Sequence, residues 1–302
     1  MQRFRSHGKL LLTAEYLVLD GAKALAIPTS YGQELTVFES DIDGFKWESL
    51  DLYDTCWFHC TFDRELQIRT TNDQEIAKRL QQIFLSIKTL AYDAFKKNGL
   101  HFISKLDFKR NWGLGSSSTL LNNLAQWAKV NPYTLLNKTF TGSGYDIACA
   151  QAEGPVFYQI QNGTPTIEKA AFNPLFKDDL YFVHLNKKQD SREGIKRYRA
   201  SQKTDLPLKK INAIGMQFCE ANTLNSFQHL LEEHEQLISS IISLPPVKTQ
   251  LFPDYKGAIK SLGAWGGDFI LVAGDSDTMQ YFEQKGYDTV VQYKDMILRE
   301  EH

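Results

Sequence analysis

The feature that most constrains the fold of this chain is the stretch WGLGSSST at residues 112–119. It follows HFISKLDF, whose alternation predicts a β-strand, and it precedes LLNNLAQWA, whose composition and spacing are compatible with a helix. Glycines let the backbone turn tightly and approach a ligand closely, and the first amides of a helix have no intrahelical partners. A strand, a glycine loop and a helix N-terminus together predict an anion-binding site.

This loop is not one of the two best-known phosphate-binding motifs. The pattern G-x-x-x-x-G-K-[ST] is absent from the sequence, and Ser118 stands where a dinucleotide-binding loop has its third glycine. The hydroxyls of Ser116, Ser117 and Ser118 could donate to a phosphate or bind a magnesium ion. Serine and glycine are also ordinary helix caps, so the stretch taken alone leaves a plain cap as an alternative.

Composition narrows the classes of partner. The 302 residues include 34 Lys and Arg against 36 Asp and Glu, and this net charge of −2 predicts neither a nucleic-acid partner nor an anionic membrane surface. No apolar stretch approaches the ~18 residues of a transmembrane helix. Glu15 and Tyr16 interrupt the first apolar run, so a signal peptide is not predicted. The four cysteines form no framework, which favours the cytoplasm.

The predicted elements divide the chain near Asn173-Pro174. Before that point, residues 8–38 predict strands joined by a turn at Asp20-Gly21, and residues 45–62 predict further strands. Apolar residues three and four apart predict a helix over 73–98, ended by Gly99. The predicted domains are therefore 1–174 and 175–302.

The second predicted domain alternates strands with helices in short units. LYFVHL, FILVAG and DTVVQY predict strands, and helices are predicted from about Ser191, over 206–243 and near 254–261. This order predicts a two-layer α+β architecture. Within the first domain, Asn162-Gly163 predicts the turn of another hairpin.

Four segments together resemble the motifs of the GHMP kinase superfamily. They are SHGKLLLTAEYLVLDGAKALAIP at 6–28, WGLGSSST at 112–119, GSGYDIA at 142–148 and SLGAWGGDFILV at 261–272. The resemblance spans nearly the whole chain. Within the superfamily, the motifs are most similar to those of phosphomevalonate kinases, and the length is more similar to that of mevalonate kinases.

The resemblance implies a fold and an activity. The implied fold is α+β with two domains: an N-terminal ribosomal-protein-like α/β domain and a C-terminal ferredoxin-like two-layer domain. The implied activity uses ATP and Mg²⁺ to phosphorylate a small anionic acceptor, with mevalonate or phosphomevalonate favoured. An ATP-dependent decarboxylase of the same fold and a catalytically degenerate binding protein stay open as alternatives, and a homodimer is also left open.

The resemblance also implies roles for individual residues. Lys9 matches the active-centre lysine, and Asp146 matches the aspartate that acts as base or orients the acceptor. The residues that match the ATP phosphate loop, with Ser117 also at the magnesium-contacting position, are Gly113, Leu114, Gly115, Ser116, Ser117 and Ser118. The residues that match substrate-contacting positions are Glu15, Ser191, Arg192, Gly263, Ala264, Gly266 and Gly267. For Glu15, two alternatives stay open: it orients Lys9, or it lies at a strand edge without a role in the site.

Three positions depart from the superfamily pattern. The proline that commonly precedes the glycine loop is absent, and Lys109, Arg110 and Asn111 stand there. The glutamate that completes the magnesium site in relatives would fall at Leu135, and Trp265 replaces a glycine of the third motif. The resemblance then leaves magnesium to Ser117, the nucleotide and water, or to another carboxylate.

Overall fold

The computed structural model describes residues 1–187, 191–200 and 207–298. The chain forms two compact units, and each unit draws on separate stretches of sequence. Unit 1 comprises Met1–Gly8, Tyr31–Arg110 and Leu114–Gln151, and unit 2 comprises Lys9–Ser30, Asn111–Gly113 and Ala152–His302. The single boundary predicted at residue 174 falls inside unit 2, because the units are discontinuous in sequence.

Unit 1 contains a mostly antiparallel sheet. In order of pairing the strands are β5, β4, β3, β6 and β2, with β1 also paired to β2, and only the β3–β6 pair within this order is parallel. The strands are β1 (Gln2–Leu11), β2 (Ala24–Glu39), β3 (Phe45–Leu50), β4 (Cys56–Phe62), β5 (Ile68–Thr71) and β6 (Leu100–Leu106). Residues 9–11 of β1 and 24–30 of β2 belong to unit 2.

Helices α1 (Gln74–Leu90), α2 (Ser116–Ala128), α3 (Pro132–Thr139) and α4 (Tyr145–Gln151) complete unit 1. The buried face of α1 carries Leu80, Phe84 and Ile87, three and four residues apart, as an amphipathic helix requires. The Asp73 side chain caps this helix by accepting from the amides of Glu75 and Ile76 at 3.0 and 3.1 Å. Phe84 packs at 5.3 Å from Phe102 of β6, which places the core between the sheet and the helices.

Unit 2 contains a hairpin and a separate four-stranded sheet. The hairpin joins β7 (Val156–Gln161) to β8 (Thr164–Lys169) through Asn162 and Gly163, both at positive φ, which confirms the predicted turn. The second sheet is antiparallel in the order β10, β11, β9, β12. Its strands are β9 (Leu180–His184), β10 (Ala258–Ser261), β11 (Phe269–Ala273) and β12 (Val290–Gln292).

Six α-helices of unit 2 lie among the described residues: α5 (Ser191–Ala200), α6 (Leu208–Glu220), α7 (Leu224–Ile242), α8 (Val247–Leu251), α9 (Thr278–Gln284) and α10 (Tyr293–Met296). Phe227, Leu231 and Ile238 form a buried stripe on α7. Apolar strands of this sheet pack against apolar helix faces, as the predicted two-layer architecture requires. No helix in the described part of the chain is both long and apolar enough to cross a membrane.

Four predictions of local structure were wrong. The helix predicted over 206–243 is two helices, because α6 ends at Glu220 in extended backbone and Thr223 caps the start of α7. Residues 254–261 are not helical, because Ala258–Ser261 pairs with β11 as strand β10. Leu17–Asp20 forms a 3₁₀ helix rather than a strand, since positive φ angles at Ala14 and Tyr16 turn the chain away from an extended path. Helix α1 ends at Leu90, eight residues earlier than predicted.

Candidate active site

The glycine–serine loop forms an uncapped helix start in unit 1. Gly115 occupies the N-cap position of α2 with φ of 88°, a left-handed conformation that favours glycine, and no side chain caps the helix. The amides of Ser118 and Thr119 both donate to the Gly115 carbonyl at 3.0 Å. Helix geometry leaves the preceding amides, those of Ser116 and Ser117, without an intrahelical acceptor.

Helices α1 and α3 of unit 1 differ from α2, because a side chain caps the start of each. Asp73 caps α1, and Asn131 caps α3 by accepting from the amides of Tyr133 and Thr134 at 2.9 and 3.0 Å. Free amides and the helix dipole make the start of α2 a suitable place for a phosphate. Ser117 is exposed, whereas the Leu114 side chain is fully buried and leaves only its backbone for a ligand.

Asp146 lies in the first turn of α4, also in unit 1. Gly144 precedes the helix at φ of 89°, and its carbonyl accepts the amides of Ile147 and Ala148. Those two side chains are buried, which fixes the short helix, while Asp146 itself is half-buried. At the far end of α4, Gln151 Nε2 donates to Asn122 Oδ1 of α2 at 2.8 Å. Helix α4 is therefore tied to the helix that follows the glycine loop.

In unit 2, a small pocket brings Lys9 together with two of the predicted glycines, Gly113 and Gly263. Gly263 has φ of 61°, and a Cβ atom built on it would lie 4.0 Å from Lys9 Nζ. Gly113 has φ of 67°, and a Cβ atom there would overlap the carboxylate of Asp268, at 2.7 Å from Oδ1. A glycine is required at Gly113 both for its backbone conformation and for this close approach.

The third motif accommodates its tryptophan in the interior of unit 2. The Trp265 side chain is buried, and its backbone amide donates to the Tyr16 hydroxyl at 3.2 Å. Gly266 turns the chain at φ of 90° and is exposed, whereas Ala264 and Gly267 are buried. The indole that replaces a glycine of the third motif therefore packs into the interior of unit 2.

Glu15 lies in a buried cluster of charged side chains in unit 2. Its side chain is 1% exposed and pairs with Lys260, which is fully buried. Burial raises the pKa of Glu15 to about 7, and Lys260 opposes that rise. Glu15 was predicted to contact the substrate, and the structure places its carboxylate against protein groups.

Ser191 and Arg192, the remaining predicted substrate contacts, begin α5, and their side chains lie outside the described residues. Later in that helix, Tyr198 donates to Asp20 Oδ2 at 2.5 Å and Arg199 pairs with Asp20 Oδ1 at 2.7 Å. Leu135, where relatives carry a magnesium-site glutamate, is buried in the apolar core of unit 1. Within residues 1–187, 191–200 and 207–298, no three His, Cys, Asp or Glu side chains converge as a metal site.

Sequence reasoning missed the partners of Glu15 and the carboxylate beside Gly113. Lys260 interrupts the apolar strand AIKSL, and His234 and Glu235 stand at positions where the stripe Phe227, Leu231, Ile238 of α7 predicts apolar residues. A polar residue at a core position of a periodic pattern is the signal that marks all three. Asp268 gave no such signal, because an Asp after two glycines is typical of a turn.

No protein-family model matches this sequence, and no curated protein sequence matches it. Solved structures do match. Streptococcus pneumoniae phosphomevalonate kinase in complex with phosphomevalonate and AMPPNP is 18% identical with a TM-score of 0.72, over 97% of this chain and 100% of that one. L. major mevalonate kinase in complex with R-mevalonate is 17% identical with a TM-score of 0.66, over 97% and 96%.

Lactococcus lactis galactokinase complexed with galactose matches at 13% identity and a TM-score of 0.60, over 96% of this chain and 93% of that one. The three neighbours act on different acceptors and share one architecture. This chain therefore has the two-domain GHMP kinase fold, and the predicted fold is confirmed.

Proposed function

We propose that this chain is an ATP-dependent phosphotransferase of the GHMP kinase type, acting on a small anionic acceptor. The observation that carries the proposal is the uncapped start of α2 behind the left-handed Gly115. In a chain with this fold, such a helix start supplies amides and a dipole for the β- and γ-phosphates of ATP. The presence of AMPPNP in the phosphomevalonate kinase neighbour supports the choice of nucleotide.

The proposed mechanism relies on positioning and charge stabilisation. Phosphoryl transfer needs little covalent participation by the protein, so backbone amides and one lysine supply much of what it requires. Lys9 stabilises the charge that develops on the transferred group. Asp146 accepts the proton of an attacking hydroxyl, or orients the acceptor if the acceptor is already a phosphate.

Ser117 is the residue we assign to a magnesium ion. Its hydroxyl is exposed at the start of α2, and a single hydroxyl is enough where the ion is held mainly by substrate phosphates and water. When bound, the ion neutralises phosphate charge.

The acceptor is proposed to be mevalonate or phosphomevalonate. The motif resemblance and two of the structural neighbours support these acceptors over a neutral sugar. Gly263 beside Lys9 supplies a backbone surface on which a small acceptor would fit.

A coupled ADP-release assay tests the proposal. Purified protein with ATP and magnesium is offered mevalonate, phosphomevalonate, diphosphomevalonate, homoserine and galactose, with released carbon dioxide measured in parallel. We expect ADP release with one anionic acceptor and no carbon dioxide. Asp146→Asn and Lys9→Met should each lower kcat by about 100-fold or more, because each removes a group that acts in the transition state.

Two surface variants control for non-specific effects. Asp178→Asn changes an exposed aspartate in the 3₁₀ turn Lys177–Asp179, and Lys105→Met removes an exposed lysine that pairs with Asp54. Both should keep wild-type turnover. Carbon dioxide release with diphosphomevalonate would replace the kinase proposal with the decarboxylase alternative, and ATP binding without any turnover would favour a binding protein.

A further inference from the structure

The most unusual group of side chains in unit 2 is a buried ionisable cluster. Glu15, His234, Glu235 and Lys260 are each between 0 and 2% exposed. A buried charge is costly unless it is paired and hydrogen-bonded, so the contacts within this cluster decide what it does.

Lys260 joins the first motif to the third. Its ammonium donates to Glu15 Oε1 and, at 2.8 Å, to the carbonyl of Ser261. Glu235 of α7 holds the same serine, accepting from its hydroxyl at 2.8 Å and from its amide at 3.1 Å. Ser261 stands two residues before Gly263, which lines the Lys9 pocket.

His234 holds the other side of Glu15. Its Nε2 accepts the amide of Ala14 at 3.0 Å, so its proton is on Nδ1. Burial and the charge of Lys260 keep the pKa of His234 well below its usual value, and the 3.3 Å contact with Glu15 Oε2 is therefore not an ion pair. Among the described residues, Glu15 Oε2 has no hydrogen-bond partner.

The backbone around Glu15 is strained. Ala14 and Tyr16, the residues on either side, have φ angles of 64° and 63°, which residues other than glycine rarely adopt. Such strain persists only where surrounding contacts over-determine the conformation. Here the contacts are the His234 bond to the Ala14 amide, the Lys260 bond to Glu15, and the bond from the Trp265 amide to the Tyr16 hydroxyl.

We propose that Glu15 is a positioning residue that acts through Lys260, holding the segment after Lys9 against the segment before Gly263, and that it does not contact the acceptor. This inference rests on the proposed function only where its test measures turnover of the acceptor. Among the described residues, the titratable groups that act on Glu15 are Lys260 from β10, His234 and Glu235 from α7, and the neighbouring Tyr16 of its own strained loop.

A double-mutant cycle on kcat/KM tests this role. Glu15→Gln and Lys260→Met should each lower kcat/KM for the acceptor by about tenfold or more, and the double variant should be within about threefold of the worse single variant. Non-additivity is expected because both substitutions break one contact. Losses that multiply in the double variant would show that Glu15 acts independently of Lys260, as an acceptor ligand would, and would overturn the proposal.

The surface pair Lys23 and Glu168, whose side chains are 25% and 61% exposed, provides the matched control in the same unit. Lys23→Met and Glu168→Gln should leave kcat/KM unchanged within about twofold, because surface pairs contribute little. A loss in these variants equal to that at Glu15 would indicate that any Glu–Lys pair of unit 2 affects turnover, and would also overturn the proposal.

Two readouts need no turnover and separate this inference from the proposed function. In ¹⁵N NMR spectra of the wild-type chain, His234 should stay neutral with its proton on Nδ1 down to pH 5.5, and an ordinary titration near its usual pKa would contradict the geometry. In hydrogen exchange, Glu15→Gln should speed exchange at residues 9–17 and 258–268 and leave α2 unchanged. Exchange identical to wild type at both segments would overturn the positioning role even if no acceptor is ever phosphorylated.

Discussion

The start of α2 and the Glu15 cluster carry two of the strongest sequence motifs, and they are built in opposite ways. At the start of α2, Gly115 occupies the N-cap position and no side chain caps the helix. Around Glu15, the polar groups are buried and bond to one another and to the backbone; of the four side chains, Glu15 Oε2 and His234 Nδ1 are the atoms without a hydrogen-bond partner among the described residues. The first region has unsatisfied groups to offer a ligand, and the second uses its groups to hold the chain in place.

This difference teaches that a motif residue is not necessarily a ligand-contacting residue. The glycines and serines of the loop act through their backbone: the glycine φ angles shape the helix start, and its free amides donate directly to a ligand. Glu15 is equally prominent in the first motif, but its carboxylate is shielded by Lys260 and His234. Its burial, which no motif encodes, decides between the two roles.

The largest expected effect contrasts the buried pair with the surface one. Lys260→Met should lower the free energy of unfolding by about 3 kcal/mol, because it leaves the buried Glu15 without its cation. The loss should be greater at pH 8 than at pH 5, where Glu15 can protonate. Lys23→Met, which breaks the surface pair with Glu168, should cost about 0 to 1 kcal/mol. Urea denaturation of both variants measures the contrast, and equal losses would contradict it.

The pH dependence of stability should show the next largest effect. Because burial raises the pKa of Glu15 from 4.5 to about 7 in the folded chain, its contribution is fully present below pH 4.5 and is lost as pH rises through 7. The stability of wild type relative to Glu15→Gln should therefore fall by about 3 kcal/mol between pH 4 and pH 8.

His234 has the opposite sign, since its folded pKa is depressed and its unfolded form takes up a proton below about pH 6.5. That contribution is common to both proteins and cancels in the difference. A pH-independent difference between wild type and Glu15→Gln would mean that Glu15 is not buried as the structure places it.

A smaller effect is expected at the glycines. Gly113→Ala combines a left-handed φ with overlap against the Asp268 carboxylate, whereas Gly163→Ala meets an equally left-handed φ in open space. We expect a loss of about 1 kcal/mol at Gly163 and about 2 to 3 kcal/mol at Gly113. Thermal unfolding distinguishes the two, and equal losses would show that the Asp268 contact adds nothing.

The sequence predicted the fold well where local patterns agree with tertiary contacts. Helix α1 up to Leu90, the Asn162-Gly163 hairpin and strand β11 are confirmed because periodicity and turn residues alone define them. The helix predicted near 254–261 was wrong because pairing with β11, and not local propensity, makes Ala258–Ser261 a strand. The strand predicted through Leu17–Asp20 was wrong because the chain turns away from the sheet at two non-glycine residues with positive φ.

The candidate site was predictable where motifs mark its residues and not where its residues depend on tertiary contacts. Lys9, Gly113 and Gly263 came from motifs, and the structure brings these three together in unit 2. Lys260 and His234 were not predicted, because their contacts with Glu15 and Ala14 join segments more than 200 residues apart in sequence. Glu235 was not predicted either, and its contact with Ser261 joins α7 to the end of β10. Only the placement of polar residues within apolar patterns hinted at them.

Hydrogen exchange of the wild-type chain with and without AMPPNP and magnesium tests the central claim most directly. We predict slowed exchange over residues 112–119, greatest at the amides of Ser116 and Ser117, and no change at the start of α3, where Asn131 already occupies the amides. Binding of AMPPNP that leaves residues 112–119 unprotected, or no binding at all, would contradict the claim that the start of α2 holds the phosphates of ATP.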